Sequence, residues 1–247
     1  MPGLTIVIPT FEEERKIARD VQGAAAFLVS RGFDGEVIVA DDGSSDGTVR
    51  AAREASVPPG IERSVIPAPR HLGKGAAVRS GILASQGEYV LFADSGMTVP
   101  FDNALRGLRL LQDGTCDLAH GSRELSESVI LRDRDPDRKA ISLLFRRLAI
   151  FWLHIPSSLT DTQCGFKLYR GDVARRLYTV CETEGFMFDI EIILRALNEG
   201  LRIREFPLEW ACDRDSRLGV RRNAGEILKD FMKLRRMAVR RQSLPRH

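Results

Sequence analysis

Residues 36–48 read EVIVADDGSSDGT, and this segment sets the pattern for the chain. Glu36–Ala40 is a short β-branched run suited to a buried strand, and it stops in Asp41-Asp42-Gly43. Ser45-Asp46 then offers a capping residue for a helix. Upstream, Leu4–Ile8 is another such run, closed by Pro9. After it, Glu13 to Arg31 places Ile17, Val21, Ala24 or Ala25 and Leu28 on one helical face, with Gly32 at the stop position. Downstream, a weaker strand lies near Ser64–Ile66, and Tyr89–Ala93 again runs into an acid, Asp94. Short strands alternating with helices predict an α/β fold, a Rossmann-like, mostly parallel sheet with helices on both faces. Acids recur at the carboxyl ends of the strands, the edge where open α/β sheets bind ligands.

The 247 residues, 43% hydrophobic and 29% charged, suffice for a buried core and argue against general disorder. Cys116, Cys164, Cys181 and Cys212 form no CxxC pair, and the four histidines show no zinc spacing, which argues against a disulfide scaffold or a zinc site. The N-terminus lacks a basic region followed by an apolar one, so no secretory signal is read and a cytoplasmic setting is expected. Ala140–Pro156 is the most apolar segment, but it is short of the ~20 residues of a membrane span and carries Arg146 and Arg147. Residues 1–120 hold 12 Lys/Arg against 16 Asp/Glu, and residues 121–247 hold 25 against 18, so the halves are expected to meet different partners. No helix-turn-helix, RNP or zinc-finger pattern accompanies the basic half, so no nucleic-acid partner is expected.

Four segments carry candidate chemistry. Pro9-Thr10-Phe11-Glu12-Glu13 and Asp41-Asp42-Gly43-Ser44, at adjacent strand ends, make a pocket able to hydrogen-bond a base edge and ribose hydroxyls; taken alone, DDGS also fits an ordinary turn. His71-Leu72-Gly73-Lys74-Gly75 lets backbone approach a ligand closely and places a cation near phosphate, or it is a glycine-rich helix start with a solvated lysine. Phe92-Ala93-Asp94-Ser95-Gly96 puts one hard carboxylate at a strand end.

IPTFEEE and VIVADDGSSDGT together resemble the opening of family-2 glycosyltransferases, enzymes with a glycosyltransferase A fold. The segment HLGKGAAVR is similar to one in polyprenyl-phosphate glycosyltransferases, and DTQCGFKL (161–168) and FMFDIE (186–191) narrow the resemblance to dolichyl-phosphate β-glucosyltransferases. It spans roughly residues 4 to 240. The resemblance implies that Pro9, Thr10, Phe11, Glu13, Asp41, Asp42, Gly43, Lys74 and Asp94 bind the nucleotide sugar. It also implies a centre of Asp94, Arg123, Asp161, Gln163 and Asp189, with Arg123, assisted by Arg132 and Arg138, facing an acceptor phosphate. Related enzymes carry a DxD motif at Asp94 for Mg2+ or Mn2+, and Gly96 stands where its second acid belongs. Asp94 then serves alone, Asp102 substitutes, or metal binding has weakened. Asp161, Asp189 and Glu191 also suit plain capping or helix-dipole roles.

The expected activity is inverting transfer of a hexose, glucose in the first place, from a nucleotide sugar such as UDP-glucose to a polyprenyl or dolichyl phosphate. The alternatives are a degenerate nucleotide-sugar-binding scaffold and a transferase to a non-lipid sugar. Residues 1–213 are expected to form the catalytic domain, and 214–247 a basic amphipathic helix packed on that domain or on a membrane. Leu143, Leu144, Leu148, Phe151, Trp152 and Ile155, with seven Lys/Arg from Lys229 onward, suit peripheral attachment to the cytoplasmic face of a membrane; packing on the protein's own core fits the same pattern.

Overall fold

The computed structural model describes residues 3–132, 150–212 and 224–242. In chain order the elements are β1 (Leu4–Thr10), α1 (Ile17–Ser30), β2 (Gly35–Asp41), α2 (Thr48–Glu54), β3 (Glu62–Pro67), α3 (Lys74–Ala84) and β4 (Tyr89–Ala93). A 3-10 turn (Phe101–Asn103) leads into α4 (Ala104–Gln112), β5 (Leu118–Ser122), β6 (Val129–Arg132) and β7 (Phe166–Arg170). Then come α5 (Gly171–Thr179), α6 (Phe188–Asn198), β8 (Ile203–Pro207), β9 (Glu209–Ala211) and α7 (Ala224–Gln242).

The main sheet runs β3-β2-β1-β4-β7-β5-β8, with β7 antiparallel to its neighbours β4 and β5 and every other pairing parallel. Strand order reverses beside β1, the topological switch at which such sheets open a crevice. Register aligns Thr10 with Asp41, while Ala93 pairs with Phe166 at the start of β7. The ends of β1, β2, β4 and β5 and the entry to β7 therefore share one rim.

Alternation along β1 splits the core. Leu4, Ile6 and Ile8 face a cluster with Leu28 of α1 and Leu108 of α4, while Val7 faces the cluster of Ile82, Phe92, Tyr178 and Phe188. In α7, Leu234 and Ala238 are buried in that second cluster.

The segment from Leu201 to Glu209 suits a single strand in sequence, and the structure divides it into two. β8 ends at Pro207, which has no N–H to continue a ladder, and β9 pairs with β6 in a separate two-stranded sheet. Helix α1 starts at Ile17 rather than Glu13, because Glu13 first forms a turn whose carbonyl accepts from the Lys16 and Ile17 N–H groups. Of the apolar segment expected at 140–156, residues 150–153 are helical, and 140–149 lie outside the described residues.

One buried acid ties these elements to the rim. Glu191 of α6 is 0% exposed, and its carboxylate accepts from the N–H groups of Glu182 (3.0 Å) and Thr183 (2.7 Å) and from Arg195 Nε (2.7 Å). The loop so fixed presents the Glu184 carbonyl to the Ala76 N–H, 3.1 Å away in the first turn of α3. Replacing Glu191 with Ala strands these donors, and the expected loss is about 3 kcal/mol, read by urea unfolding at pH 7.

Candidate functional site

The loops after β1 and β2 are joined by side-chain acceptors. The Glu12 N–H donates to Ser44 Oγ (2.7 Å), the Glu13 N–H to Thr48 Oγ1 (2.8 Å), and Ser45 Oγ to Glu12 Oε1 (2.7 Å). Asp41 is buried; its Oδ2 accepts from the Gly43 and Ser44 N–H groups, and its Oδ1 has no hydrogen-bond partner. Thr10 Oγ1 beside it is likewise buried and without one. Two such polar atoms in adjacent strands are costly unless a ligand satisfies them. Pro9 is buried, and Glu13 lies near Lys16 (3.6 Å). Phe11 packs against the His71 ring, centroids 4.2 Å apart.

Asp42 turns toward the next loop. Its carboxylate accepts from the N–H groups of Leu72 (2.8 Å) and Gly73 (3.0 Å) and lies 2.9 Å from His71 Nδ1. That clamp fixes the start of α3, where Lys74 Nζ lies 2.6 Å from Asp94 Oδ1. Burial works against the lysine's charge, but Asp94 and Asp189 together hold its pKa above the ordinary lysine value. Gly165 completes the contact, since a Cβ there would overlap the Asp94 carboxylate.

Gly96 occupies a left-handed conformation, φ +91°, which an aspartate adopts only with strain. Its N–H donates to Asp20 Oδ2 (2.6 Å), an acid of α1. Asp102 is turned away and paired with Arg31 (2.9 Å).

Arg123 follows β5. Its Nε and Nη2 donate to Asp161 Oδ2 and Oδ1 (2.5 and 2.6 Å), and its backbone N–H adds a third bond at 3.0 Å. The guanidinium lies 5.5 Å from the centre of the Trp210 ring. Burial disfavours its charge, yet Asp161 raises its pKa further still. Gln163 is partly buried in the same loop. Asp189 is 4% exposed and binds Lys167 Nζ; burial nevertheless pushes its pKa up. Arg132 is exposed on β6 and donates to the Cys212 carbonyl (3.4 Å), and Arg138 lies outside the described residues.

Thus Asp41, Asp42, Lys74, Asp94, Arg123 and Asp161 gather along one rim. Asp20, Lys167, Glu205 and Trp210 were not singled out by sequence reasoning. The available signals were a lone lysine inside the apolar run Phe166–Tyr169 and a lone acid between Ile203 and Phe206.

A family model described as glycosyl transferase family 2 matches residues 5–178. The chain belongs to that family, and its fold is the α/β arrangement expected of it. The dolichyl-phosphate beta-glucosyltransferase of Drosophila melanogaster is 34% identical over 218 residues, which cover 84% of this chain and 66% of that protein. Its counterpart in Saccharomyces cerevisiae is 30% identical, covering 94% and 74%, and the human one is 32% identical, covering 84% and 67%. The chain thus spans about two thirds to three quarters of these relatives. Among solved structures, Mycobacterium tuberculosis glucosyl-3-phosphoglycerate synthase, in complex with Mn2+, UDP and glucosyl-3-phosphoglycerate, has a TM-score of 0.68 at 18% identity. That match covers 99% of this chain and 81% of the synthase, a likeness of fold.

Asp20 gives the rim a pH signature. Burial pushes its pKa up from 3.8 to about 6, against the lowering influence of the Gly96 N–H. An acid whose pKa is higher folded than unfolded stabilises the fold most at low pH, and that contribution is lost as pH rises from about 4 to about 6. Asp20→Asn keeps an acceptor for Gly96 and removes the titration. It is expected to be more stable than the parent by up to about 3 kcal/mol above pH 6, with the gap closing near pH 4, in denaturant titrations across that range.

Proposed function

We propose that this chain transfers glucose, with inversion, from UDP-glucose to a polyprenyl phosphate of the dolichyl type. The observation that carries the reading is a Lys74–Asp94 pair at the donor loops and an Arg123–Asp161 pair at the end of β5, joined through the loop that runs from Asp161 to Gly165, whose last residue packs on Asp94, and near enough for the Asp94 charge to act on Arg123. The names of the relatives support glucose and a lipid phosphate, and the UDP complexes of the similarly folded synthase support the nucleotide.

In this reading the unsatisfied Asp41 and Thr10 atoms take the base edge, Phe11 borders the base, and Asp42 shapes the loop around ribose and diphosphate. Lys74, exchanging its bond to Asp94 for the donor, neutralises charge on the departing diphosphate. Arg123 holds the acceptor phosphate in line with the sugar's anomeric carbon, a contribution of placement. A phosphate monoester has its second pKa near about 6, so the nucleophile is already ionised at neutral pH. Asp161 therefore orients Arg123 and removes no proton. Asp189, buried against Lys167, supports the centre from beneath.

Among the described residues no group of three His, Cys, Asp or Glu side chains forms a ready cage for a metal ion. Asp94 still offers a hard oxygen at the strand end, and one carboxylate with substrate phosphates is a coordination mode Mg2+ accepts. Asp94 and the donor's phosphates would hold Mg2+ or Mn2+, which supplies further positive charge to the leaving group when bound.

We assign residues 1–213 to the catalytic domain and the basic helix beyond them to its edge, at a membrane surface. No helix among the described residues is long and apolar enough to cross a membrane. Phe151 is 72% exposed, Trp152 lies 4.4 Å beneath the Arg235 guanidinium, and Lys229, Arg235 and Arg236 are exposed on α7. Aromatic rings beside cations suit the interface of an anionic bilayer, where a lipid-linked acceptor resides.

Purified chain given UDP-glucose, UDP-galactose or GDP-mannose, a short polyprenyl phosphate and Mg2+ or Mn2+ is expected to glucosylate the lipid from UDP-glucose, as read by mass spectrometry. Lys74→Ala should lower kcat by about 100-fold. Transfer from none of the donors overturns the reading, and UDP binding without turnover would favour a degenerate binding protein. In a sedimentation assay with vesicles containing phosphatidylserine, the Phe151→Ala, Trp152→Ala double variant is expected to bind several-fold less than the parent, and equal binding argues against a membrane surface.

A further inference from the structure

A polar row crosses the sheet at β7, β5 and β8, beneath the acceptor side. Strand register places Lys167 of β7 opposite His120 of β5, and His120 opposite Glu205 of β8. Directly paired residues of neighbouring strands project on the same face. His120 and Lys167 are each 1% exposed, and Glu205 is partly buried. Burial and the neighbouring Lys167 charge hold the His120 pKa well below the ordinary histidine value, so a neutral ring separates cation from anion.

Both charged ends of the row reach the same loop. Glu205 Oε2 accepts from Thr160 Oγ1 (2.6 Å) and Glu205 Oε1 from the Asp161 N–H (2.8 Å). Thr160 Oγ1 also lies 2.7 Å from Ser122 Oγ, at the end of β5. Lys167 Nζ donates to the Thr162 carbonyl (3.0 Å) and to Asp189. Residues 160, 161 and 162 are thus held in succession, and the residue gripped through its backbone by Glu205 is the acid that fixes Arg123 bidentately. Two charged side chains, from the strands on either side of β5, that converge on one loop signal a functional demand rather than a packing one.

We infer that Glu205 is a positioning residue for the acceptor phosphate: it fixes the backbone of Asp161, and through Asp161 it aims the Arg123 guanidinium. Lys167 pins the far side of the same loop. Glu205 acts through Arg123, so its loss weakens acceptor binding and leaves the nucleotide loops after β1 and β2 as they are.

This inference rests on the reading of Arg123 as the acceptor-phosphate residue, and the test separates the two. Full-length Glu205→Ala, Glu205→Gln and Arg123→Ala are each titrated with UDP and with a soluble short-chain polyprenyl phosphate, and their acceptor and donor KM values are measured. Glu205→Ala is expected to weaken acceptor binding and raise acceptor KM about tenfold, and Glu205→Gln, which keeps one acceptor oxygen, about threefold, with UDP affinity within about twofold of the parent. If Arg123→Ala leaves acceptor binding unchanged, the reading of the site fails. If Arg123→Ala weakens it while Glu205→Gln and Glu205→Ala match the parent, the positioning role is overturned. Equal losses of UDP and acceptor affinity also overturn it, because they mark a general loosening. Should Glu205→Ala not fold, the split between acceptor and donor in Glu205→Gln decides the matter by the same criteria.

Discussion

A single carboxylate, Asp42, is bonded to the N–H groups of two consecutive residues, Leu72 and Gly73, and much of the rim depends on that grip. Asp42 follows β2, whose position is set by the parallel ladder to β1, so the clamp transfers the register of the sheet core to a loop some thirty residues further on. Bonds from backbone N–H groups to an ionised acid are among the stronger ones available, and this acid is nearly buried, so little water competes for it. The start of α3 is thereby fixed, and with it the Lys74 ammonium against Asp94. The Glu184 carbonyl supports the same turn from the loop before α6. The Lys74–Asp94 contact is thus a consequence of two restraints on one helix start, applied from opposite directions.

Charge burial on this scale carries a cost. The Lys167–Asp189 pair is almost wholly removed from water, and such pairs are often replaceable by apolar side chains without loss of stability. Its retention makes sense if the fold must hold a loop rather than fill a volume. An apolar side chain at 167 would pack against Phe92 equally well but would have no donor for the Thr162 carbonyl. The raised pKa of Asp189, caused by burial and opposed by Lys167, expresses the same tension. Asp20 expresses it again beneath the Asp94–Gly96 loop.

The parallel strands β1, β2 and β4 were legible because they are buried on both faces and read as uninterrupted apolar runs, each running into an acid or a proline, whereas the exposed β3 gave a weaker signal. Helix α6 is legible in the run Phe188–Asn198, since its apolar face is broad. The antiparallel insertion of β7 was not, because an apolar run carries no sign of its direction. Helix α5 follows β7 with no intervening loop and gave no separate signal. The break between β8 and β9 turns on Pro207, which sequence reading passed over inside an otherwise continuous strand pattern. Of the residues gathered at the rim, those at strand ends and in glycine-rich turns were legible as rim residues, as turn chemistry and charge mark them. Glu205 was not, because its importance lies in what two strands and a loop bring to it, and neither its neighbours nor its spacing in the chain encodes that meeting.

In the proposed reading, the Arg123 end of the rim follows a different logic from the Lys74 end. Lys74 is a flexible point charge that can leave Asp94 for a phosphate, whereas Arg123 is held at two atoms of a planar fork and stacked near Trp210. A group so restrained loses little freedom when a ligand arrives, and the edge of the fork not committed to Asp161 remains to be offered to an anion. Asp161 also offsets the charge that would otherwise stand alone in a partly buried site. A free arginine there would bind any passing anion strongly and at random angles. Paired and aimed, it favours the ligand whose phosphate meets the remaining edge while its reacting oxygen points toward Lys74 and Asp94. Geometry of this kind suits a nucleophile that arrives already ionised, for which the protein's task is direction rather than deprotonation.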